Sequence, residues 1–253
     1  MSAAIPPAPY EAGAAISPQD IAPLGDTALV VRVGHQIDEA TRRRVLSVVR
    51  ALESAKLPGS AEMVPGFTTV TVHYDPTRLG WQPDASPAPY DVMHRHVAGA
   101  LARLASVVAG DGNRVEIPVC YGGVFGPDLD HVAAHAGLSA QEVVARHAAG
   151  EYRVHLVGFL PGFPYLGGLD PHLATPRRDT PRIAVPAGSV GIGGLQTGVY
   201  PLESPGGWQL IGRSPLVLFD PLRVPPTLLV PGDVVRFRAI ELSEYDHLRG
   251  TTE

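Results

Sequence analysis

Apolar and polar positions follow two different rhythms along this chain. In residues 39–52 the apolar side chains Val45, Leu46, Val49 and Leu52 recur at helical spacing. Arg42, Arg43 and Arg50 fall on the other side, and Asp38 stands at the N-cap position, so the pattern predicts a helix facing outward with its arginines. Residues 90–108 repeat the pattern with Val97, Leu101, Leu104 and Val108. Other stretches alternate instead. Residues 23–34 read as one strand. Residues 61–75 read as two strands joined at Pro65 and Gly66, with Val70 and Val72 set against Phe67, Thr69, Thr71 and His73. A turn at 111–113 leads to a strand at 114–121. Strand, helix, two strands, helix and strand is the order of a ferredoxin-like unit.

The second half has a different texture. Residues 128–150 predict two short helices broken at Gly137, the second opened by a Ser139/Glu142 capping box. Short apolar runs then follow at 151–159, 182–192, 198–203, 208–212, 215–219 and 233–240, each bounded by Gly or Pro. Evenly spaced short strands with such turns predict an all-β barrel or sandwich. The expected architecture is α+β: a loose Ala/Pro-rich tail over 1–19, a ferredoxin-like domain over 20–110 and a β-barrel domain over 111–253.

Composition narrows the function classes. The 253 residues are 45% hydrophobic and 18% charged, as in a globular protein, and the net charge of −5 argues against a nucleic-acid surface. No apolar run is long enough to span a bilayer, and residues 1–15 lack the charged and apolar regions of a secretory signal. The one cysteine, Cys120, has no partner for an internal disulfide, which fits a reducing compartment; a cytoplasmic location is expected. The one lysine, Lys56, lies in neither a P-loop nor a Gly/Ser-rich amidase core. Positive charge here means arginine, which binds planar oxyanions well and is a poor base.

Residues 185–215 hold the densest run of Gly and Pro. The glycines of "GSVGIGG" are not followed by a helix, as a dinucleotide fingerprint requires, so they are expected to turn barrel strands. Polar residues Gln196, Thr197, Tyr200, Ser204 and Gln209 lie among these turns, and Arg177, Arg178, Arg182 and Arg213 lie in or beside them. An arginine fork suits a carboxylate, carbamate or phosphate. Arg177, Arg182 and Arg213, with Gln196, Thr197, Tyr200 and Ser204, are therefore the candidate substrate- or anion-binding set. Phe159, Phe163 and Tyr165, in an expected loop over 158–169, and Trp208 are candidates for a pocket wall or partner surface. His131 and His135 stand four apart on a helix but lack a His-Glu-x-x-His pattern and an identifiable third ligand, so no metal is expected in this chain. His94 and His96 point to different helix faces, His147 is expected to meet a helix dipole as an imidazolium, and His155 sits in a strand. No catalytic base stands out.

The segments "IPVCYGGVFGPDLDHVA", "GEYRVHLVGFLPGFPYLGGL", "PRRDTPRIAVPAGSVGIGGLQTGVYP" and "SPGGWQLIGRSPLVLFDP" resemble the KipI-like family over residues 21–240. That family includes the B-type subunit of bacterial ATP-dependent 5-oxoprolinase and an inhibitor of a sporulation histidine kinase. It is often labelled allophanate hydrolase subunit 1 and is similar to part of the carboxyltransferase region of urea carboxylase. The resemblance implies a cyclophilin-like barrel in the second domain. It implies work with A-type and C-type 5-oxoprolinase subunits, with ATP and Mg2+ used by the complex to phosphorylate and open 5-oxo-L-proline to L-glutamate. A sensor histidine kinase is the alternative partner, and a urea-carboxylase-like carboxyltransferase is a third reading. Allophanate hydrolysis itself is not expected, because the Ser-Ser-Lys apparatus is missing around Lys56.

Overall fold

The computed structural model describes residues 16–82, 87–103 and 112–250. Residues 1–15 of the tail expected over 1–19, residues 83–86 of the expected loop, and Leu104, Val108 and Asp111 lie outside the described residues, while Pro18–Asp20 form a 3-10 turn capped by Ser17. The chain divides into two compact units, Met1–Gly110 and Asp111–Glu253.

In the first unit, β1 (Ile21–Pro23) and β2 (Ala28–Arg32) form an antiparallel hairpin where the sequence predicts one strand. Gly25, at φ 67°, turns the chain between them, a conformation costly for any residue with a Cβ. α1 (Glu39–Ala55) begins where Asp38 Oδ1 accepts the Thr41 N–H at 2.7 Å. β3 (Ser60–Pro65), β4 (Thr69–Tyr74) and α2 (Pro89–Leu101) follow. The sheet runs β1-β2-β4-β3, antiparallel throughout. Along β4, Val70, Val72 and Tyr74 are buried beneath the helices, and the residues between them are half-buried. Arg42 does not face outward as the helical pattern predicts. It is buried, and Glu39, one turn earlier, accepts two of its N–H groups at 2.6 and 2.7 Å. That guanidinium holds the Glu39 carboxyl down to about 2. The strand expected to complete this unit after α2 is not in its sheet; the edge belongs to β1, which comes before β2.

The missing strand, β5 (Arg114–Tyr121), opens the second unit instead. After α3 (Leu129–Ala136) and α4 (Ala140–Ala149) come β6 (Tyr152–Val157), β7 (Pro164–Gly167), β8 (Arg182–Val185), β9 (Ser189–Gly193), β10 (Gln196–Val199), β11 (Ser204–Gly206), β12 (Gln209–Arg213), β13 (Val234–Ala239) and α5 (Leu242–Gly250). Seven of these strands close a barrel in the order β10-β7-β6-β13-β5-β12-β9, while β8 and β11 pair separately. β5 and β13 are parallel, so nearly the whole unit serves as the connection between them. Inward residues such as Ile117, Val119, Val154, Ile192, Val199, Ile211 and Phe237 fill the core. Each such burial stabilises by about 1.5–3 kcal/mol relative to exposure.

Four local expectations change here. The loop at 158–169 contains β7. The run at 182–192 is two strands in different sheets, broken at Pro186, Ala187 and Gly188, with Gly188 at φ 81°. The run at 215–219 contributes only a bridge between Phe219 and Thr227. α5, which the strand-rich pattern did not suggest, closes a small cluster through Tyr245, Cys120 and Ile240. Among the described residues, no helix is long and apolar enough to cross a membrane.

Candidate functional site

The glycines of β9 and β10 have a specific task. Val190, Ile192 and Val199 point into the barrel, so Gly191, Gly193 and Gly198 lie on its outer face. The Trp208 side chain rests on that face. A Cβ built on Gly193 would stand 2.7 Å from the indole, and one on Gly198 3.1 Å from it. Three absent side chains thus make the seat for one indole. The glycine-rich segment is filled by Trp208 and does not form an open phosphate cradle.

Around that indole the structure assembles most of the aromatic candidates. Phe163 is the centre, with edge-on contacts to Tyr165 at 4.9 Å, Tyr200 at 5.1 Å and Trp208 at 5.5 Å between centroids. Val185, Leu210 and Leu160 complete the cluster, and Ser204 pairs with Val185 across the β8–β11 ladder. Phe159 packs on Phe163 at 5.8 Å yet remains 66% exposed, in a left-handed conformation at φ 71°. Such backbone is unusual for a bulky side chain and marks a constrained corner. Burial pushes the Tyr200 and Tyr165 hydroxyls upward, with Arg177 opposing in both cases, so both phenols stay neutral donors at physiological pH.

The guanidinium groups lie over this floor on a strap, residues 176–181, all of them exposed. Arg177 sits over the Trp208 ring at 5.7 Å, a cation–π distance. The strap is tied down at two points. Gln209 Nε2 donates to the Pro176 carbonyl at 2.9 Å, and the Arg178 N–H donates to the Gly207 carbonyl at 2.7 Å. Just past the strap, Arg182 enters β8. Its Nη2 donates to Asp128 Oδ1 at 2.7 Å, and Arg178 Nη1 reaches the same oxygen at 3.4 Å. Asp128 Oδ2 accepts the Leu210 N–H at 2.7 Å. Arg182 Nη1 is buried and has no hydrogen-bond partner.

The other candidates lie elsewhere. Thr197 points into the barrel, where its hydroxyl donates to the Gly191 carbonyl at 2.9 Å and His147 Nε2 lies 3.0 Å away. Gln196 is half-buried at the start of β10, opposite Gly193. Arg213 ends β12 and donates its Nε to the Ala187 carbonyl at 2.7 Å, three residues along the strand from Leu210. Arg177, Arg182, Tyr200, Ser204, Phe163, Tyr165 and Trp208 are therefore brought together; Thr197, Gln196 and Arg213 are not. His131 and His135 are both exposed. His147 is corrected outright. It is fully buried, stacked on Phe237 at 4.5 Å, and desolvation pulls its pKa down to about 3, so it is neutral and no dipole partner.

Two residues escaped the sequence reading. Asp128 looks like the start of a helix, but its carboxylate turns back to β12 and β8. The signal was Gly126 two residues before it: a Cβ there would collide with the Ile211 carbonyl, so the chain must run pressed against β12. Tyr121, whose hydroxyl lies 2.7 Å from His147 Nδ1, carried no signal beyond its place at a strand end.

Comparison with known proteins bears on most of the chain. The family model described as carboxyltransferase domain, subdomain C and D, matches residues 19–229. A 5-oxoprolinase B-type subunit from Bacillus subtilis is 47% identical over 225 residues, covering 88% of this chain and 93% of that protein. The corresponding B-type subunit from Escherichia coli O157:H7 is 46% identical, covering 85% and 93%. The crystal structure of TTHA0988 is 40% identical with a TM-score of 0.72; the match covers 85% of this chain and 40% of that one.

Proposed function

The chain belongs to the family of the carboxyltransferase domain, subdomain C and D, and from that membership we propose that it is the B-type subunit of a 5-oxoprolinase complex. The observation that carries this reading is identity of 40–47% to three proteins of that name along nearly their whole length. A shared domain alone would support a fold; similarity over 93% of the relative supports a shared role.

The reaction assigned to the complex is the opening of 5-oxo-L-proline to L-glutamate. Its substrate is a flat lactam bearing one carboxylate. A flat ring is suited to aromatic walls, and a carboxylate to a guanidinium fork. Trp208 beneath Arg177 and the half-buried Tyr165 supply the first, backed by the buried Phe163 and Tyr200, and Arg177 and Arg182 supply the second. Phe159, exposed beside the cluster, is the surface on which a partner subunit completes the site.

ATP and Mg2+ belong in this reading to the assembled complex, and no binding residue for either is assigned to this chain. The glycine-rich face is occupied by Trp208, and residues 111–253 contain no lysine. Among the described residues, no group of three or more His, Cys, Asp or Glu side chains converges.

The test is reconstitution. The purified chain is mixed with A-type and C-type subunits, 5-oxo-L-proline and Mg-ATP, and glutamate is measured. Glutamate release that needs every subunit is expected. Undiminished release when this chain is omitted, or none with all subunits present, overturns the reading.

A further inference from the structure

Arg182 shows an asymmetry that the fold alone does not require. One arm of its guanidinium is fixed: Nη2 to Asp128 Oδ1 at 2.7 Å. The other arm, Nη1, is buried without a partner. A guanidinium N–H withheld from both water and protein is costly, and it is satisfied when an acceptor arrives. Asp128 is itself committed. It is buried, and its second oxygen takes the Leu210 N–H at 2.7 Å, so it cannot swing to serve both arms.

We infer that Asp128 is a positioning residue that fixes Arg182 so that its free Nη1 edge receives the carboxylate of a small flat-ring ligand, and that the strap 176–181 lifts from β12 to admit it. The local charge favours an anion. Arg177, Arg178 and Arg182 carry three positive charges, and Asp128 is the carboxylate paired with two of these guanidiniums. The covering element has few ties. Two hydrogen bonds, from Gln209 to Pro176 and from Arg178 to Gly207, hold it, with the 3.4 Å Arg178–Asp128 contact and the Arg177–Trp208 stacking. It lies close enough that a Cβ on Gly207 would meet Pro181 at 3.6 Å. When the strap lifts, Nη1 and the Trp208 face become accessible together. Arg177 travels with the strap and closes over the ring from the opposite side.

This inference rests on the 5-oxoprolinase reading only for its probe. Trp208 is the reporter: the chain has two tryptophans, and Trp81→Phe leaves Trp208 alone. The full chain is titrated with 5-oxo-L-proline and, separately, with 2-pyrrolidinone, the same lactam without the carboxylate. A saturable change in Trp208 emission is expected with the first, and at least ten-fold weaker binding with the second. Asp128→Asn and Arg182→Lys are each expected to weaken 5-oxo-L-proline at least ten-fold with unchanged circular dichroism. Should Asp128→Asn fail to fold, Arg182→Lys, which keeps the charge and loses the fork, carries the same comparison. Hydrogen exchange at the Arg178 amide is expected to quicken with probe bound. Equal affinity for both probes, wild-type affinity in the folded variants, or no saturable change overturns the site. Unchanged exchange at Arg178 overturns the strap step. Binding with no glutamate release from the assembled complex leaves this inference standing and removes the 5-oxoprolinase reading. Release that is indifferent to Asp128 and Arg182 does the reverse.

Discussion

His147 shows how much one buried side chain can dictate. The Thr197 hydroxyl gives its proton to the Gly191 carbonyl, so it must accept from His147 Nε2–H. His147 Nδ1 is then an acceptor and takes the Tyr121 O–H at 2.7 Å. Every polar atom in the chain Tyr121–His147–Thr197–Gly191 is satisfied by one tautomer, and that tautomer is neutral. Adding a proton puts a charge in a dry core and leaves Tyr121 facing a donor with its own donor. The pKa is about 3 in the folded protein, against 6.5 for an unperturbed histidine. Between these values the unfolded chain binds the proton and the folded chain does not. Stability is therefore full above pH 6.5 and falls as the pH drops, by up to about 1.4 kcal/mol per pH unit. Ordinary carboxylates remain ionised between pH 6.5 and 5, and a variant lacking His147 separates its share from that of the other histidines. Urea denaturation of the wild type should lose about 1–2 kcal/mol across that window. His147→Gln, which lacks the titrating group, should lose stability at pH 7 and show a flatter slope across the same window. A parallel slope in the variant would mean that His147 is not the sensor.

At the scale of single elements, β9 and β10 carry the clearest case of sequence serving packing. Their outward glycines give the Trp208 indole a flat seat, and a methyl at Gly193 would enter 2.7 Å from the ring. Gly193→Ala should cost about 1–3 kcal/mol through forced repacking, with a changed near-ultraviolet signal from Trp208. Gly123→Ala, at a position with open space but φ 52°, is a control in which backbone strain acts alone and the Trp208 signal stays unchanged. An unaltered Trp208 signal in Gly193→Ala would remove the seat. This element also shows what the sequence could tell. Turn chemistry and alternation predicted the strand-rich half, and the missing helix after "GSVGIGG" excluded a nucleotide loop. The same alternation at 182–192 could not reveal that Val185 and Ser189 belong to different sheets, because both are buried and apolar runs carry no partner label. β5 was read as a strand of the 111–253 domain, but its parallel pairing with β13, over a hundred residues away, was not legible. The site followed the same rule. Arg177, Arg182 and Trp208 were legible as residue types near turns. Asp128 was not, because its role lies in contacts 54 and 82 residues distant.

For the whole molecule, closure of the barrel rests on its last strand. β13 pairs with β5 along six residues, from Val234 opposite Arg114 to Ala239 opposite Val119, and with β6 on its other side. Its Phe237 lies against the His147 ring and at 5.1 Å from Tyr152. Removing β13 would open two seams, expose β5 and β6 as unpaired edges, and uncover the buried histidine. The first unit has its own core cluster, built from Leu29, Val31, Val48, Leu52, Val70, Met93 and Val97. Two cores imply two cooperative losses rather than one. A chain ended after Asp233 should therefore lose the cooperative transition of the second unit while the first keeps its own. A chain ended after Ile240 loses only α5. It uncovers Cys120 and Phe125 but leaves the barrel seams paired, so its second-unit transition should survive at lower temperature. Calorimetry on both truncations, with Trp208 fluorescence to identify the barrel transition, separates these outcomes. A cooperative Trp208 transition in the chain ended at 233 would show that six strands close without β13.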